Sequence, residues 1–178
     1  MTVIETQRLI LDPYVPSDAA RMAALHADPI VMDFLKDSKP LTAEEAAETF
    51  QRYLQCWETN GFGIYAVRQR TDGAFVGECG FWNRPDKPGV SMRFLTHSGF
   101  WGQGLGTEMN TAVTSWLFTN TGVMSFWAVT QARNKGAVAI LRRLGGRVTE
   151  TAHMGNTGLW RFEIDRLAWA DARANLQD

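Results

Sequence analysis

Cysteine, histidine and proline are scarce in this chain: two, three and six residues in 178. Cys56 and Cys79 are too few for a disulfide framework and show no metal-ligand spacing, so neither a disulfide-stapled module nor a metal centre is expected. No apolar run approaches the roughly 20 residues that a membrane-spanning helix needs. The net charge of −1 supplies no field for nucleic acid or an anionic membrane surface. Met1 to Asp12 holds Glu5 and no apolar stretch behind a basic one, which argues against a secretory signal. A cytoplasmic protein with reduced thiols and no nucleic-acid or membrane partner is expected.

What is present suits one globular domain. Hydrophobic residues make up 45% and charged ones 21%, a soluble balance, and 178 residues can bury most of their surface on folding. No repeat, low-complexity tract or linker divides residues 1–178. Arg8 to Leu11 begins as a strand. Ser17 reads as the cap of a short helix through His26, stopped by Asp28-Pro29. Thr42-Ala43-Glu44-Glu45 is a capping box opening a helix that runs to Asn60-Gly61, with Ala46, Phe50, Leu54 and Trp57 at helical spacing. Phe62 to Arg68 and Ala74 to Phe81 flank Thr71-Asp72-Gly73 as a hairpin, and Asn83 to Gly89 reads as a mobile loop.

Glycine is plentiful, and its placement carries the most information. Gly102, Gly104 and Gly106 alternate in Trp101-Gly102-Gln103-Gly104-Leu105-Gly106-Thr107-Glu108, which runs straight into an amphipathic helix from Thr107 to about Asn120. Without Cβ atoms, backbone N–H groups there can approach a ligand closely, and the helix adds a positive dipole end with unpaired donors. That combination suits a phosphate or pyrophosphate. A P-loop would need Lys then Ser or Thr after its last glycine, and the dinucleotide fingerprint would need glycine in place of Thr107 and an early βαβ unit. Neither fits. A turn that merely reverses the chain is the bland alternative.

Around this loop, Val90 to Thr96 reads as a strand before it and Val123 to Val129 as one after its helix. Asn134 and the helix Ala137 to Leu144 follow, closed by Gly145-Gly146. A second hairpin is expected from Gly146 to His153 and Leu159 to Asp165 around residues 154–158, and Arg166 to Leu176 reads as a closing helix. The order implies an α/β (α+β) fold with a mixed, mostly antiparallel sheet flanked by helices.

This order, with the Trp-Gly-Gln-Gly-Leu-Gly-Thr-Glu piece and the later Asn134, resembles the GCN5-related N-acetyltransferases. The branch that acetylates ribosomal-protein N-termini is nearest, and Glu5 to Leu11, Ser17-Asp18 and Asp28-Pro29 are similar to its N-terminal pattern. The resemblance spans about residues 3 to 165. It implies a single acetyltransferase domain with splayed central strands, acetyl-CoA as co-substrate, no metal, and an amine acceptor: a peptide N-terminus or a small molecule. Backbone from Gly102 through Gln103, Gly104, Leu105 and Gly106 to Thr107 would hold the pyrophosphate. Backbone of Phe94, Leu95 and Thr96 would pair with the pantetheine amides, as an open strand edge can. Asn134 would contact the cofactor arm near the thioester, and it equally suits the helix N-cap. Arg142 and Arg143 either reach a 3′-phosphate or stay solvated. Sheet-edge contacts in such proteins often make homodimers.

The catalytic half departs from that pattern. Ser91 stands where the branch usually has a strand glutamate, Arg93 where it has glycine, and Ala137 where a serine would protonate the leaving thiolate. Asn134, Glu78 and Ser91 are the residues to which catalysis is assigned, with Glu78 as a water-mediated base or, alternatively, an ion-pair partner of Arg93. Tyr65 and His97 are weaker candidates. Trp57, Trp116 and Trp127 suit core packing, whereas Trp82, Trp101 and Trp160 suit the acceptor cleft. Direct acetyl transfer to a primary amine is the leading reading. A degenerate acyl-CoA-binding sensor and a nucleotide phosphate binder are the alternatives.

Overall fold

The computed structural model describes residues 2–35, 39–84, 87–154 and 157–174. The first half runs β1 (Ile4–Glu5), β2 (Leu9–Pro13), α1 (Ala19–Ala27), α2 (Pro29–Met32), α3 (Ala43–Asn60), β3 (Ile64–Gln69) and β4 (Phe75–Asn83). The second runs β5 (Val90–Thr96), α4 (Leu105–Asn120), β6 (Ser125–Gln131), α5 (Lys135–Arg143), β7 (Arg147–Met154), β8 (Thr157–Asp165) and α6 (Arg166–Ala174). The strands form one sheet in the order β1-β2-β3-β4-β5-β6-β8-β7. All neighbours are antiparallel except β5 and β6, as expected of a mixed, mostly antiparallel sheet.

A parallel pair needs a crossover, and α4 supplies it. Between β5 and β6 the register is held at Ser91↔Trp127 alone among the described residues, whereas β4 pairs with β5 from Gly77↔Thr96 to Asn83↔Val90. Beyond Ser91 the two parallel strands part, leaving one edge of β5 without a strand neighbour. That splay places the loop after β5 and the loop after β6 at the mouth of one crevice.

Local signals explain most boundaries. The Thr42 hydroxyl accepts from Glu45 N at 3.2 Å and the Glu45 carboxylate accepts from Thr42 N at 2.8 Å, closing the capping box. Such a cap is worth about 1 kcal/mol. Gly61, at φ 71°, ends α3 in the left-handed conformation. Inside α3, Ala46, Phe50, Tyr53, Cys56 and Trp57 are buried, and Leu54 packs partly buried against the same core.

Some boundaries differ from the sequence reading. Ser17 does not cap α1; it lies within a 3-10 turn, Pro16–Asp18, whose entry Pro16 favours by fixing its own φ. Asp18 is instead drawn to Arg21 at 2.7 Å and Arg68 at 2.8 Å. Asp28 ends α1 but also caps α2, accepting from Ile30 N at 2.8 Å, so a second short helix follows at once. β6 begins at Ser125 rather than Val123, because the Val123 carbonyl accepts from Arg166 Nη2 at 3.0 Å instead of joining the ladder. Of the expected loop Asn83 to Gly89, Asn83 closes β4 and Pro85-Asp86 lie outside the described residues. The turn residues Gly155 and Asn156, and Asn175-Leu176 of the closing helix, also lie outside them.

Candidate active site

The splay of β5 from β6 opens into two adjoining cavities of about 520 and 370 Å3. Phe34, Phe94, Leu95, Asn134 and Ala137 wall both, so a single extended ligand can pass from one to the other.

The larger cavity lies against the glycine loop. Gly102 (φ 74°) and Gly104 (φ 77°) are left-handed, a conformation that costs an L-residue about 1–2 kcal/mol. A Cβ built on Gly102 would meet no atom within 4 Å, so the backbone faces open space. Gly104 is the N-cap of α4, and no side chain caps this helix. The first N–H groups of α4 are therefore left to a ligand or solvent, as an anion site requires. Gly102, Gly104, Gly106 and Thr107 wall the cavity on this side, with Phe94, Leu95 and Thr96 opposite. Gln103 and Leu105 do not: the Gln103 amide donates back to Gly99 O at 2.9 Å, and Leu105 is 2% exposed in the core. Any role they have at the cavity is confined to their backbone. Thr96 O already accepts from Trp101 Nε1 at 2.9 Å, so that carbonyl is engaged.

Two residues buttress the loop and carry no role in the sequence reading. Glu108, in the first turn of α4, accepts from Thr6 Oγ1 at 2.6 Å, Arg8 N at 2.9 Å and Arg8 Nε at 2.6 Å. Arg8 Nη1 also donates to Gln103 O at 2.9 Å. Although partial burial opposes it, the bonds from Thr6 and Arg8 lower the Glu108 pKa. The only sequence signal was the joint presence of Thr6-Gln7-Arg8 and Thr107-Glu108, and spacing alone cannot pair segments so far apart.

On the other rim, Asn134 caps α5, its Oδ1 accepting from Ala137 N at 3.0 Å. Its Nδ2 has no partner among the described residues, and the side chain walls both cavities. Residues 33–35 span the two rims. Phe34 meets Trp101 edge to face at 5.6 Å and lies under the Arg133 guanidinium at 5.1 Å. Arg133 Nη1 bonds Asp33 Oδ2 at 2.9 Å, and Gln131 Nε2 donates to the Asp33 and Leu35 carbonyls. Sequence reading missed this strap, since none of its residues is unusual alone.

Glu78 sits behind the cleft rather than in it. It is fully buried on β4. Its Oε1 accepts from His26 Nε2 at 2.9 Å, Tyr53 at 3.1 Å and Arg93 Nε at 3.2 Å, and its Oε2 accepts from Tyr14 at 3.0 Å. Burial acts to raise its pKa, but His26, Arg93 and Tyr14 outweigh that and pull it down to about 2. A carboxylate so acidic and so enclosed has neither the proton affinity nor the access for a base, so the base assignment gives way to the ion pair with Arg93. Burial and the neighbouring Glu78 push the Tyr14 hydroxyl far up, keeping it a donor.

Ser91, 3% exposed, walls the smaller cavity beside Trp82 and Trp127. Tyr65 is outside both cavities; burial raises its pKa and its hydroxyl has no partner among the described residues. His97 packs on Phe75 at 5.7 Å. Arg142 and Arg143 are exposed, with Arg142 over Trp160 at 5.9 Å. Trp57 is buried against Tyr65 and Trp116. Trp127 is buried too but faces the smaller cavity, and Trp82 also lines it. Trp101 lines the larger one, and Trp160 lines neither, packing near Phe162 at 6.3 Å because its β8 position points it to the core.

Comparison with known proteins places this geometry. Residues 8–147 match the model of the acetyltransferase (GNAT) domain. Among solved structures, an acetyltransferase from Agrobacterium tumefaciens str. C58 superposes with a TM-score of 0.79 at 20% identity, covering 93% of this chain and 95% of that one. The RimL ribosomal L7/L12 alpha-N-protein acetyltransferase in complex with coenzyme A gives 0.76 at 15% identity, covering 92% and 98%. The aminoglycoside acetyltransferase AAC(6')-Ib in complex with coenzyme A gives 0.71 at 14%, covering 93% and 99%. At such identities the structural likenesses speak for the fold.

Proposed function

Since the chain belongs to the GNAT acetyltransferase family, we propose that it moves an acetyl group from acetyl-CoA to a primary amine by direct attack within a ternary complex. The observation that carries this reading is the uncapped start of α4, opened by two left-handed glycines onto a cavity that continues to Asn134. The N–H groups from Gly102 to Thr107 hold the pyrophosphate. The free edge of β5 at Phe94 and Leu95 receives the pantetheine amides, and Asn134 Nδ2 meets the arm near the thioester. A side chain at Gly102 would project into open space beside the loop, and none is present.

The acceptor enters the smaller cavity and meets the thioester at the shared wall. Its nitrogen lone pair attacks the carbonyl carbon, a C–N bond forms, the C–S bond breaks, and the sulfur leaves with the electron pair. The proton lost by the amine goes to solvent or to the thiolate. Glu78, bound on every side, is not placed to take it, and the carboxylates on the smaller cavity's described walls are Glu45 and Glu150. An α-amine, with a reference pKa of about 8, is partly free near neutrality, and a thiolate of pKa about 8.5 leaves with little help. Positioning by Asn134 and the β5 edge then supplies most of the rate.

A second reading, acyl-CoA binding without transfer, draws on the same enclosure of Glu78 and on Ala137, which offers no acid. Incubation of the purified protein with acetyl-CoA, an amine panel and a thiol reagent separates the two. Amine-dependent thiol release supports transfer; a CoA-induced rise in melting temperature with no release from any amine supports the binding module. Protection by ATP and not by CoA would overturn both.

A further inference from the structure

The smaller cavity carries an excess of positive charge. Among its described walls are Lys39, Arg84, Lys87, Arg93 and Arg161, against Glu45 and Glu150. Lys39 faces Glu45 on the rim, and Glu150 stands exposed across the ladder from Arg161, as Lys87 is exposed at the mouth, so cations outnumber carboxylates on the described walls. Three of these gather on one ring: Arg161 lies 4.5 Å from the centroid of Trp127, with Arg84 and Lys87 each at 5.9 Å. Lys87 has no carboxylate partner among the described residues. Arg161 meets Glu163 only at 3.6 Å.

Arg93 forms the floor. Its Nε is tied to Glu78 and its Nη2 lies 3.3 Å from His26 Nδ1, so the guanidinium is fixed from behind. Both contacts around His26 are satisfied together when Nε2 carries the hydrogen and Nδ1 accepts. Arg93 Nη1 has no hydrogen bond among the described residues. The counter-charge, Glu78, is wholly enclosed on the far side, so the positive end of this pair faces the cavity. A guanidinium held in one orientation is a preorganised receiver for a carboxylate. A polycation would instead be repelled by walls of its own sign.

We propose that the acceptor is an anionic amine, its carboxylate received by Arg93 at the floor and by Lys87 and Arg161 against Trp127, so that polyamines and aminoglycosides are excluded. The proposal rests on the transferase reading above and names the acceptor class for the same cleft. The carboxylate belongs either to a free amino acid or to an acidic side chain beside a peptide N-terminus.

The test measures thiol release from acetyl-CoA with matched acceptors. One arm compares alanine with alaninamide; the other compares amidated peptides whose second residue is aspartate or asparagine. Spermidine and an aminoglycoside complete the panel. A preference of roughly tenfold in kcat/KM for the carboxylate member of either pair is expected, as a charged hydrogen bond of this kind would give, and the arm that shows it identifies the source. Lys87→Gln and Arg161→Gln should each shrink that preference severalfold, through KM of the acceptor rather than KM of acetyl-CoA. Equal rates within both pairs, or faster turnover of spermidine or the aminoglycoside, would overturn the proposal while leaving the transferase reading intact. Thiol release from no acceptor, in a protein that CoA still protects from melting, would remove both.

Discussion

Arg8 and Glu108, a hundred positions apart, meet side chain to side chain at 2.6 Å and tie the segment before β2 to the first turn of α4. The Arg8 guanidinium reaches on to the Gln103 carbonyl, so one residue holds both the helix start and the loop that precedes it. A backbone cradle can grip a diphosphate only if its amides are already aimed, and this clamp aims them.

Arg8→Ala is therefore expected to weaken CoA binding about fivefold to tenfold while lowering stability by only about 1 kcal/mol, since half the arginine side chain is in water. Titration calorimetry with CoA, beside a thermal melt, reads both. An unchanged Kd would show that the clamp serves folding alone.

Gly104→Val places a β-branched residue at φ 77°, with its Cβ 3.5 Å from the Arg8 guanidinium that braces the loop, so the added methyl groups crowd that clamp. The strain costs about 1–2 kcal/mol, which a domain of this size survives. CoA affinity should fall by roughly a hundredfold or more. Retained affinity in the folded variant would dismiss this loop as the diphosphate site.

Asn134 caps α5, and two substitutions divide that cap from the contact with the cofactor arm proposed for it. Asn134→Asp keeps the oxygen that accepts from Ala137 N and loses Nδ2, whereas Asn134→Ala loses both. The alanine variant should be about 1 kcal/mol less stable and the aspartate variant near wild type. Both should lose turnover. If the aspartate variant turns over at the full rate, Asn134 is a cap and nothing more.

Glu78 sets the acid limit of the fold. Its folded pKa, about 2, lies below the ordinary carboxylate value of 4.5. A group depressed in this way stabilises the native state above its unfolded pKa and loses that contribution as pH falls through the folded one. Stability should thus decline between about pH 4.5 and pH 2, by on the order of 3 kcal/mol from this residue. Glu78→Gln should flatten that decline and cost about 3–5 kcal/mol at neutral pH, because Arg93 would keep a buried charge without its partner. A pH–rate profile through neutrality should show no limb belonging to Glu78, and a limb that disappears in the variant would restore it as the base.

Much of the architecture was legible because its signals are local. The capping box at Thr42 and Glu45, the turn at Asp72-Gly73 and the strand Val90 to Thr96 each depend on residues within a few positions, and each stands where expected. Ser17 failed as a cap because a proline turn at Pro16 and the pull of Arg68 on Asp18, distant in the chain, outweighed a local preference. Residue type located the glycine cradle, since glycine adopts that left-handed backbone without steric cost and leaves its amides bare.

The amino-acid order by itself determined the fold class, the loop at Gly102 to Gly106 and Asn134 beside it, because helix periodicity, strand alternation and left-handed glycine act over a few residues. Tertiary packing alone decided that Glu78 is locked behind Arg93, that Arg8 braces the cradle from the far end of the sheet, and that Trp127 turns its ring to the cleft under three cations. Those outcomes depend on which distant groups share one low-dielectric space, and hydrogen bonding and charge compensation there are satisfied only once the whole sheet has closed.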